Sequence, residues 1–376
     1  MRPAKISSTS TAAVVANTMN PATTEGMARQ HAATGDPGQP PRPALGSRAV
    51  LADADPLLVA VAVAFAVVNG ANDGGTLLAL SLRAAGLRVW VALVALAAMV
   101  AVAPALVGTQ VATTLAVRLV DVGGAERVVV LAAVIAAVTV PVGLSRAGLP
   151  TSLTVALVGG LVGAGAAHGV GVAWGLMGAV VVAAAVAPVV GGLGAFALSR
   201  LARHLVAPGG AARFLARAHR VTFAVQALAY GANDGQKMLA VGALALGLAD
   251  GQARSGGAVP PAWPLLAGSA LAFFAGAVLG LRRYARTVGM IIPLRRPNAV
   301  VGEAAAATAV LGTAALGAPV SMTQTVAGGL VGTGASEGQG RVRWQVTSRI
   351  AIAWMATLPL AAGAGAAAAA AIAAAG

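Results

Sequence analysis

The sequence predicts an all-α polytopic membrane protein with two inverted-topology repeats, broken or re-entrant helices and about 10–12 membrane segments. Three observations predict this class. The 376 residues are 58% hydrophobic and only 10% charged, against roughly 25% charged residues in soluble domains. Long apolar runs with few charges follow one another along most of the chain. The pentapeptide Gly-Ala-Asn-Asp-Gly occurs twice inside such runs, at residues 70–74 and 231–235.

Composition also excludes several kinds of protein. The sequence contains no cysteine, which excludes thiol redox chemistry, disulfides and thiolate metal sites. It has no P-loop and no His-Glu-x-x-His motif, so ATP hydrolysis and zinc proteolysis lack support. The net charge of +14 does not indicate nucleic-acid binding, because the arginines fall in short gaps between apolar runs rather than on a basic face.

The first 55 residues are rich in Ser, Thr, Pro and Ala. We predict that 1–55 is a disordered tail without a cleaved signal peptide, since no hydrophobic signal core precedes Leu51. The first transmembrane repeat, 56–199, then contains five predicted segments. They lie in apolar runs at 56–82, 89–117, 128–145 and 147–199, the last of which is long enough for two segments, split near Ala166 to Gly169.

A basic segment at 200–220 separates the halves. Its arginines predict a cytoplasmic loop by the positive-inside rule, and we assign His204 and His219 to that loop. The second transmembrane repeat, 221–376, again has five segments. Their apolar runs are 221–249, 263–281, 298–316, 318–335 and 350–374.

Internal repetition is the strongest large-scale signal. Asp73 and Asp234 of the two Gly-Ala-Asn-Asp-Gly boxes are 161 residues apart (234 − 73). Farther along, 150–166 and 319–335 match at ten of 17 positions, beginning with a Pro-x-Ser-x-Thr block in each half. Two similar halves with five crossings each have opposite orientations in the membrane. Inverted repeats of this kind bind their substrate near the midplane, between broken helices.

The boxes bring acidic and amide side chains into apolar surroundings. Gly, Asn and Asp tolerate turn conformations, so each box is expected to unwind a helix locally. Oxygen atoms of Asn72, Asp73, Asn233 and Asp234 are hard ligands suited to a small cation. The alternative is a pair of turns outside the membrane, which the apolar flanks and the second copy disfavour.

The Pro-x-Ser-x-Thr blocks supply hydroxyl groups. Ser152 with Thr154, and Ser321 with Thr323, place two hydroxyls near a predicted helix start, where an oxyanion is bound reversibly without a fixed charge. An anion beside two carboxylates is repelled unless Na⁺ or H⁺ binds with it. Helix packing is the alternative role for these hydroxyls, and it is the role we assign to the Gly159 and Gly328 blocks.

Two further charged residues have two interpretations each. Lys237 is a charge partner of Asp234 or reaches the anion, or else its side chain extends to the membrane interface. Glu303 takes a proton or cation during a transport cycle, or marks the start of a helix after Pro297.

The chain resembles the inorganic phosphate transporter (Pit) family over roughly residues 56–374. The resemblance rests on the doubled boxes and on 234–246, Gly317–Ser321, Thr347-Ser348, Ala353-Trp354, Thr287–Gly289 and Glu303–Ala306. It implies cation-coupled phosphate uptake by inverted repeats, with no resident cofactor and with co-transported Na⁺ or H⁺. By this resemblance, the residues expected to bind cation and substrate are Asn72, Asp73, Asn233 and Asp234. The residues expected to surround the phosphate are Ser152, Thr154, Ser321 and Thr323.

Two features depart from the family pattern. Val155 and Gln324 stand where members often have histidine, and the run Val89 to Val117 lacks the glutamate that some members carry. The identity of the coupling ion therefore stays open.

We predict a multi-pass phosphate symporter of the plasma or inner membrane, a transporter and not an enzyme. Whether it forms a homo-oligomer is left open. A sulfate permease, a passive anion channel and a membrane scaffold are the alternatives.

Overall fold

The computed structural model describes residues 54–78, 87–146, 149, 151–205, 211–249, 252, 256–284, 291–292 and 295–375. The predicted tail, apart from its last two residues, and Pro150 lie outside these ranges. The described chain is helical, with one isolated β-bridge between Val120 and Val172.

Within the described ranges, six α-helices in each half form the framework. Those of the first half are α1 (Pro56–Asn69), α2 (Val89–Val107), α3 (Gln110–Thr113), α4 (Glu126–Arg146), α5 (Leu153–His168) and α6 (Trp174–Leu205). Those of the second half are α7 (Ala211–Tyr230), α8 (Gln236–Ala245), α9 (Trp263–Tyr284), α10 (Arg296–Ala315), α11 (Met322–Glu337) and α12 (Trp344–Ala375). In the described part of the chain, seven helices are long and apolar enough to cross a membrane. The predicted all-α membrane fold is confirmed.

Glycines end two of the first-half helices. Gly169 adopts a left-handed conformation (φ 77°) and caps α5, which confirms the split expected between 166 and 169. Residues 89–117, predicted as one segment, instead form two helices with a break at Gly108 (φ 98°). This prediction was wrong because the apolar pattern continues through a glycine that ends the hydrogen-bonded helix.

The basic segment 200–220 is mostly helical rather than a loop. Residues 200–205 extend α6, and 211–220 form the first half of α7. Arginine, alanine and leucine are good helix formers, so the charges that interrupt the apolar runs do not interrupt the helices. His219 is consequently a buried helical residue, and its assignment to a loop was wrong.

Two short helices occupy equivalent places in the halves. α5 and α11 each contain 16 residues, about 24 Å of helix, which is less than the roughly 30 Å of a bilayer core. α5 packs against the preceding helix α4, and α11 against α10. As straight helices, α5 and α11 are thus too short to cross a bilayer core, which agrees with the broken or re-entrant helices that the sequence predicts.

The halves exchange packing partners reciprocally. α1 of the first half packs on α9 of the second, and α7 of the second half packs on α2 of the first. In the same way α5 packs on α12, and α11 packs on α6. The two halves therefore share one core and do not form separate domains.

Glycine allows these exchanged helices to approach closely. Gly276 on α9 lies against the main-chain carbonyl of Val67 on α1, with no room for a Cβ atom. Gly231 lies equally close to the carbonyl of Met99 on α2. Contacts of small residues are a usual source of stability between membrane helices. Gly159 and Gly328 make the same kind of contact, on α12 and α6, which supports the packing role expected for them.

The close approach predicts different effects for two glycines of α9. Gly276→Ala should separate α1 from α9 and reduce stability by about 1–3 kcal/mol through overpacking. Gly268→Ala is the matched control, because a Cβ atom there meets no neighbour. Thermal unfolding of the detergent-solubilised protein measures both changes. Equal melting temperatures for the two variants would contradict the proposed contact.

Candidate substrate and cation site

Both Gly-Ala-Asn-Asp-Gly boxes form π-helical turns. Residues Gly70–Gly74 continue α1, and Gly231–Gly235 join α7 to α8. The flanking residues keep right-handed helical dihedrals, for example φ −60° and ψ −47° at Asn69. The boxes therefore widen the helix, and the expectation that they unwind it was wrong. A π-helical turn accommodates one extra residue without breaking the helix, and such turns are frequent at functional sites.

The two boxes meet inside the protein. The Tyr230 hydroxyl, which precedes the second box, donates a hydrogen bond of 3.2 Å to Oδ1 of Asn69, which precedes the first. The carboxylates of Asp73 and Asp234 are buried, with 4% and 1% of their surface exposed, and are near enough to interact electrostatically. The boxes are thus buried helical segments rather than exposed turns.

Lys237 connects the second box to both hydroxyl blocks. Its Nζ donates hydrogen bonds to Oδ1 of Asp234 at 2.6 Å, to Oγ1 of Thr154 at 2.6 Å and to the carbonyl of Val320 at 2.5 Å. All three ammonium protons are used, and the side chain is 1% exposed. This position does not fit a side chain that extends to the interface.

The hydroxyl blocks lie at two helix N-termini from opposite halves. Ser152 caps α5 by accepting from the N–H of Val155 at 3.2 Å, and Ser321 caps α11 by accepting from the N–H of Gln324 at 3.3 Å. Because each Oγ acts as an acceptor in its cap, its own O–H group can still donate, to an anion or, for Ser321, to Oγ1 of Thr323 at 3.0 Å. The helix N-termini add partial positive charge.

One contact between these blocks joins the two halves, because Thr154 Oγ1 of the first half donates to the carbonyl of Val320 in the second at 3.3 Å. Within the second block, Thr323 Oγ1 lies 3.0 Å from Oγ of Ser321. The structure therefore gathers the predicted hydroxyl residues near the Asp234–Lys237 pair. A neighbouring cavity of about 730 Å³ reaches Thr154 and Gln324 but is otherwise lined almost entirely by apolar side chains.

Several buried polar atoms of the second box and of Asn69, which precedes the first box, have no hydrogen-bond partner in the described part of the chain. They are both amide atoms of Asn233, Oδ2 of Asp234 and Nδ2 of Asn69. Asn72 differs, since its Nδ2 donates to Oδ1 of Asp73 at 2.7 Å. An unsatisfied buried polar group costs about 1–3 kcal/mol. The unpaired atoms are thus suited to bind an ion or a polar substrate.

Glu303 lies in a second buried polar cluster. Thr222 Oγ1 donates to its Oε2 at 2.9 Å, and His219 Nε2 is 3.4 Å from its Oε1. Glu303 is fully buried in the interior of α10, which begins at Arg296. It does not mark a helix start, so that interpretation was wrong.

The sequence reasoning missed three polar residues beside the boxes. Asn69 and Tyr230 stand at equivalent positions, 161 residues apart (230 − 69), and could have been found by that spacing. Gln236 follows the second box, and its Oε1 accepts from the N–H groups of Val111 and Ala112 at 2.8 and 3.1 Å. It thereby fixes α3 against the second box.

The described residues contain no group of three or more His, Asp or Glu side chains that could hold a metal ion. Carboxylate, amide, hydroxyl and carbonyl oxygens are nevertheless gathered at one buried place, and these are ligands for a weakly held cation such as Na⁺. Such an ion would be cargo rather than a structural metal.

Comparisons with known proteins agree with this geometry. A profile described as the phosphate transporter family matches residues 69–214 and again 207–365. The chain is 35% identical over 313 residues to a probable low-affinity inorganic phosphate transporter of Mycobacterium bovis, covering 81% of this chain and 74% of that protein. A Bacillus subtilis protein of the same description is 29% identical, covering 81% and 93%.

A solved structure described as the sodium-dependent phosphate transporter has a similar fold. Its TM-score is 0.68 with 21% sequence identity, covering 86% of this chain and 99% of that chain. The relatives are transporters, so this protein is a transporter and not an enzyme. From the two profile matches and the shared sequence, the chain belongs to the phosphate transporter family.

Proposed function

We propose that this protein imports inorganic phosphate together with Na⁺ or H⁺ across the plasma or inner membrane, by alternating access between its two repeats. One observation carries the proposal. Two acidic π-helical turns from opposite halves meet two serine-capped helix N-termini in a buried centre. The first pair suits a cation and the second suits an oxyanion.

Phosphate is bound by neutral donors in this proposal. The hydroxyls of Ser152, Thr154, Ser321 and Thr323 surround it, and the amides of Asn72 and Asn233 complete the site. Thr154 already accepts from Lys237 and lies beside Val320, so phosphate binding rearranges existing contacts. Neutral donors hold an oxyanion less strongly than a cluster of arginines does, which permits release on the other side.

Co-binding of a cation follows from the charges at the centre. Asp73 and Asp234 are buried together, and Lys237 compensates one negative charge. One net negative charge is left to repel phosphate, and repulsion between charges is strong in a medium of low dielectric constant. A cation bound by Asp73, Asn72 or the second-box residues removes that repulsion.

Glu303 is a second candidate for coupling. Its carboxylate is buried between α10 and α7, and α7 leads directly into the second box. A change in its charge would alter the packing of α7 on α10 without any contact with phosphate.

A closed centre favours a carrier over a channel. Ser152, Thr154, Ser321, Asp73 and Asp234 are all at most 4% exposed. A passive channel needs a continuous wet pathway, whereas a carrier closes its site between outward and inward states. The contacts that join the halves at the centre are hydrogen bonds, which can be exchanged between states.

Ion gradients distinguish the possible mechanisms. In proteoliposomes, uptake of radiolabelled phosphate should be accelerated by an inward Na⁺ or H⁺ gradient imposed at clamped membrane potential. A passive channel would respond to membrane potential alone. Sulfate, which has a similar size and shape, is tested in parallel, and saturable sulfate uptake without phosphate uptake would refute the assigned substrate.

Removing the first buried carboxylate should stop transport. Asp73→Asn keeps the shape of the side chain but loses a charged ligand worth about 2–3 kcal/mol, so coupled uptake should fall at least ~30-fold. Asp121→Asn is the control, because Asp121 is exposed at the surface. Initial uptake rates measure the change, and a wild-type rate in Asp73→Asn would end the proposed cation role.

Removing one hydroxyl should weaken phosphate binding selectively. Thr323→Val is nearly isosteric, and a hydrogen bond to a charged group is worth about 1.5–3 kcal/mol, so the KM for phosphate should rise about 10- to 100-fold. Thr308→Val on the exposed face of α10 is the matched control. An unchanged KM in Thr323→Val would assign Thr323 to packing.

A further inference from the structure

The two halves differ in charge at one position beside their acidic boxes. Lys237 follows Asp234 by three residues, and its counterpart in the first half is Thr76, 161 residues earlier (237 − 161). Thr76 is uncharged, and its Oγ1 donates to the carbonyl of Asn72 at 2.8 Å. The second box therefore has a lysine ammonium group at hydrogen-bond distance, and the first box has an uncharged hydroxyl in the equivalent place.

The surroundings of the Lys237 ammonium resemble a cation site. Its three partners are a carboxylate oxygen of Asp234, a hydroxyl oxygen of Thr154 and the main-chain oxygen of Val320, all within 2.6 Å. Hard oxygen atoms of these three kinds are the ligands that alkali and other small cations take from proteins. The ammonium nitrogen thus occupies the place where an ion beside Asp234 would lie.

Asp73 has no such partner. Its Oδ1 accepts from the neutral amide of Asn72, and within the described ranges no basic side chain lies at ion-pair distance from it. Lys237 interacts with Asp73 electrostatically but donates no hydrogen bond to it. The negative charge of Asp73 is therefore the one that lacks a direct counterion.

We propose that the Lys237 ammonium is a resident cation in the second half, so that the coupling cation neutralises Asp73 and no second mobile cation is needed for Asp234. The inference rests on the proposed symport function and specifies its stoichiometry. A transporter with Thr at position 237 would need a second mobile cation to compensate Asp234. This chain would move one cation fewer per phosphate than such a transporter, because its second positive charge belongs to the Lys237 side chain.

The resident cation also connects the two halves. Lys237 belongs to the second half, Thr154 to the first, and Val320 immediately precedes the α11 cap. A mobile ion would leave this place in each cycle, whereas the ammonium stays within reach of both hydroxyl blocks. Lys237 is accordingly a positioning residue for the anion site and does not need to bind phosphate itself.

The test exchanges the residues of the two halves. Lys237→Thr gives the second half the residue of the first, and Thr76→Lys does the reverse. In proteoliposomes at clamped potential, the equilibrium accumulation of phosphate is measured under a tenfold gradient of the coupling cation found for the wild type. One additional cation per phosphate in Lys237→Thr raises that accumulation about tenfold, and Thr76→Lys should lower it by the same factor.

A second measurement keeps the inference testable if a variant does not transport. Binding of Na⁺ to the purified protein is followed through its thermal unfolding, and Lys237→Thr should be stabilised by Na⁺ more than the wild type. Proton coupling is followed through the pH dependence of unfolding in the same way.

Two outcomes would overturn the inference. Unchanged accumulation together with unchanged cation-dependent stability would show that Lys237 does not replace an ion. A raised phosphate KM at saturating cation, without a change in stoichiometry, would show that Lys237 binds the anion. Absence of phosphate uptake by the wild type under every gradient would instead refute the proposed function, so the two failures are distinguishable.

Discussion

The cost of burying two carboxylates determines how the centre of this protein is built. A charged group in the interior of a membrane protein is stable only with a partner of opposite charge or with several hydrogen bonds. Asp234 has Lys237, and Asp73 has the amide of Asn72. The difference leaves one negative charge without a direct counterion. In the proposed symport, cation binding thereby becomes a condition for anion binding, which would be the physical basis of coupling.

The rest of the architecture packs helices of opposite halves around these groups. Glycine contacts join α1 to α9 and the second box to α2 so closely that no side chain intervenes. Around the site, by contrast, the contacts are hydrogen bonds of Lys237, Thr154 and the serine caps. Stiff packing outside and exchangeable polar contacts inside are what a carrier requires, because its helices move as bodies while the site changes partners.

The sequence was sufficient for the features that repeat. The spacing of Asp73 and Asp234, the Pro-x-Ser-x-Thr blocks and the long apolar runs predicted the fold class and the short helices α5 and α11. Local patterns did not show which helices pack together, since an apolar face is complementary to any other apolar face. The sequence therefore did not predict that α1 packs on α9 and α7 on α2, helices of the opposite half.

Other differences have local physical causes. The boxes contain glycine and asparagine, which permit a turn as readily as a π-helical insertion, and the surrounding packing decides between them. The cluster of His219, Thr222 and Glu303 joins residues 84 positions apart (303 − 219), with no repeat to indicate it. In the basic segment, the charged residues end the apolar pattern but not the helix, because arginine favours helix.

The exchanged helices have a consequence for biosynthesis. α1, made first, finds its packing partner α9 only after more than half of the chain has been synthesised, and α5 must wait for α12, which is made last. The first half therefore cannot reach its native packing while it emerges from the ribosome. During that interval Asp73 has neither Tyr230 nor Lys237 nearby, and the nascent chain depends on the insertion machinery or on water at the membrane surface to tolerate its carboxylate.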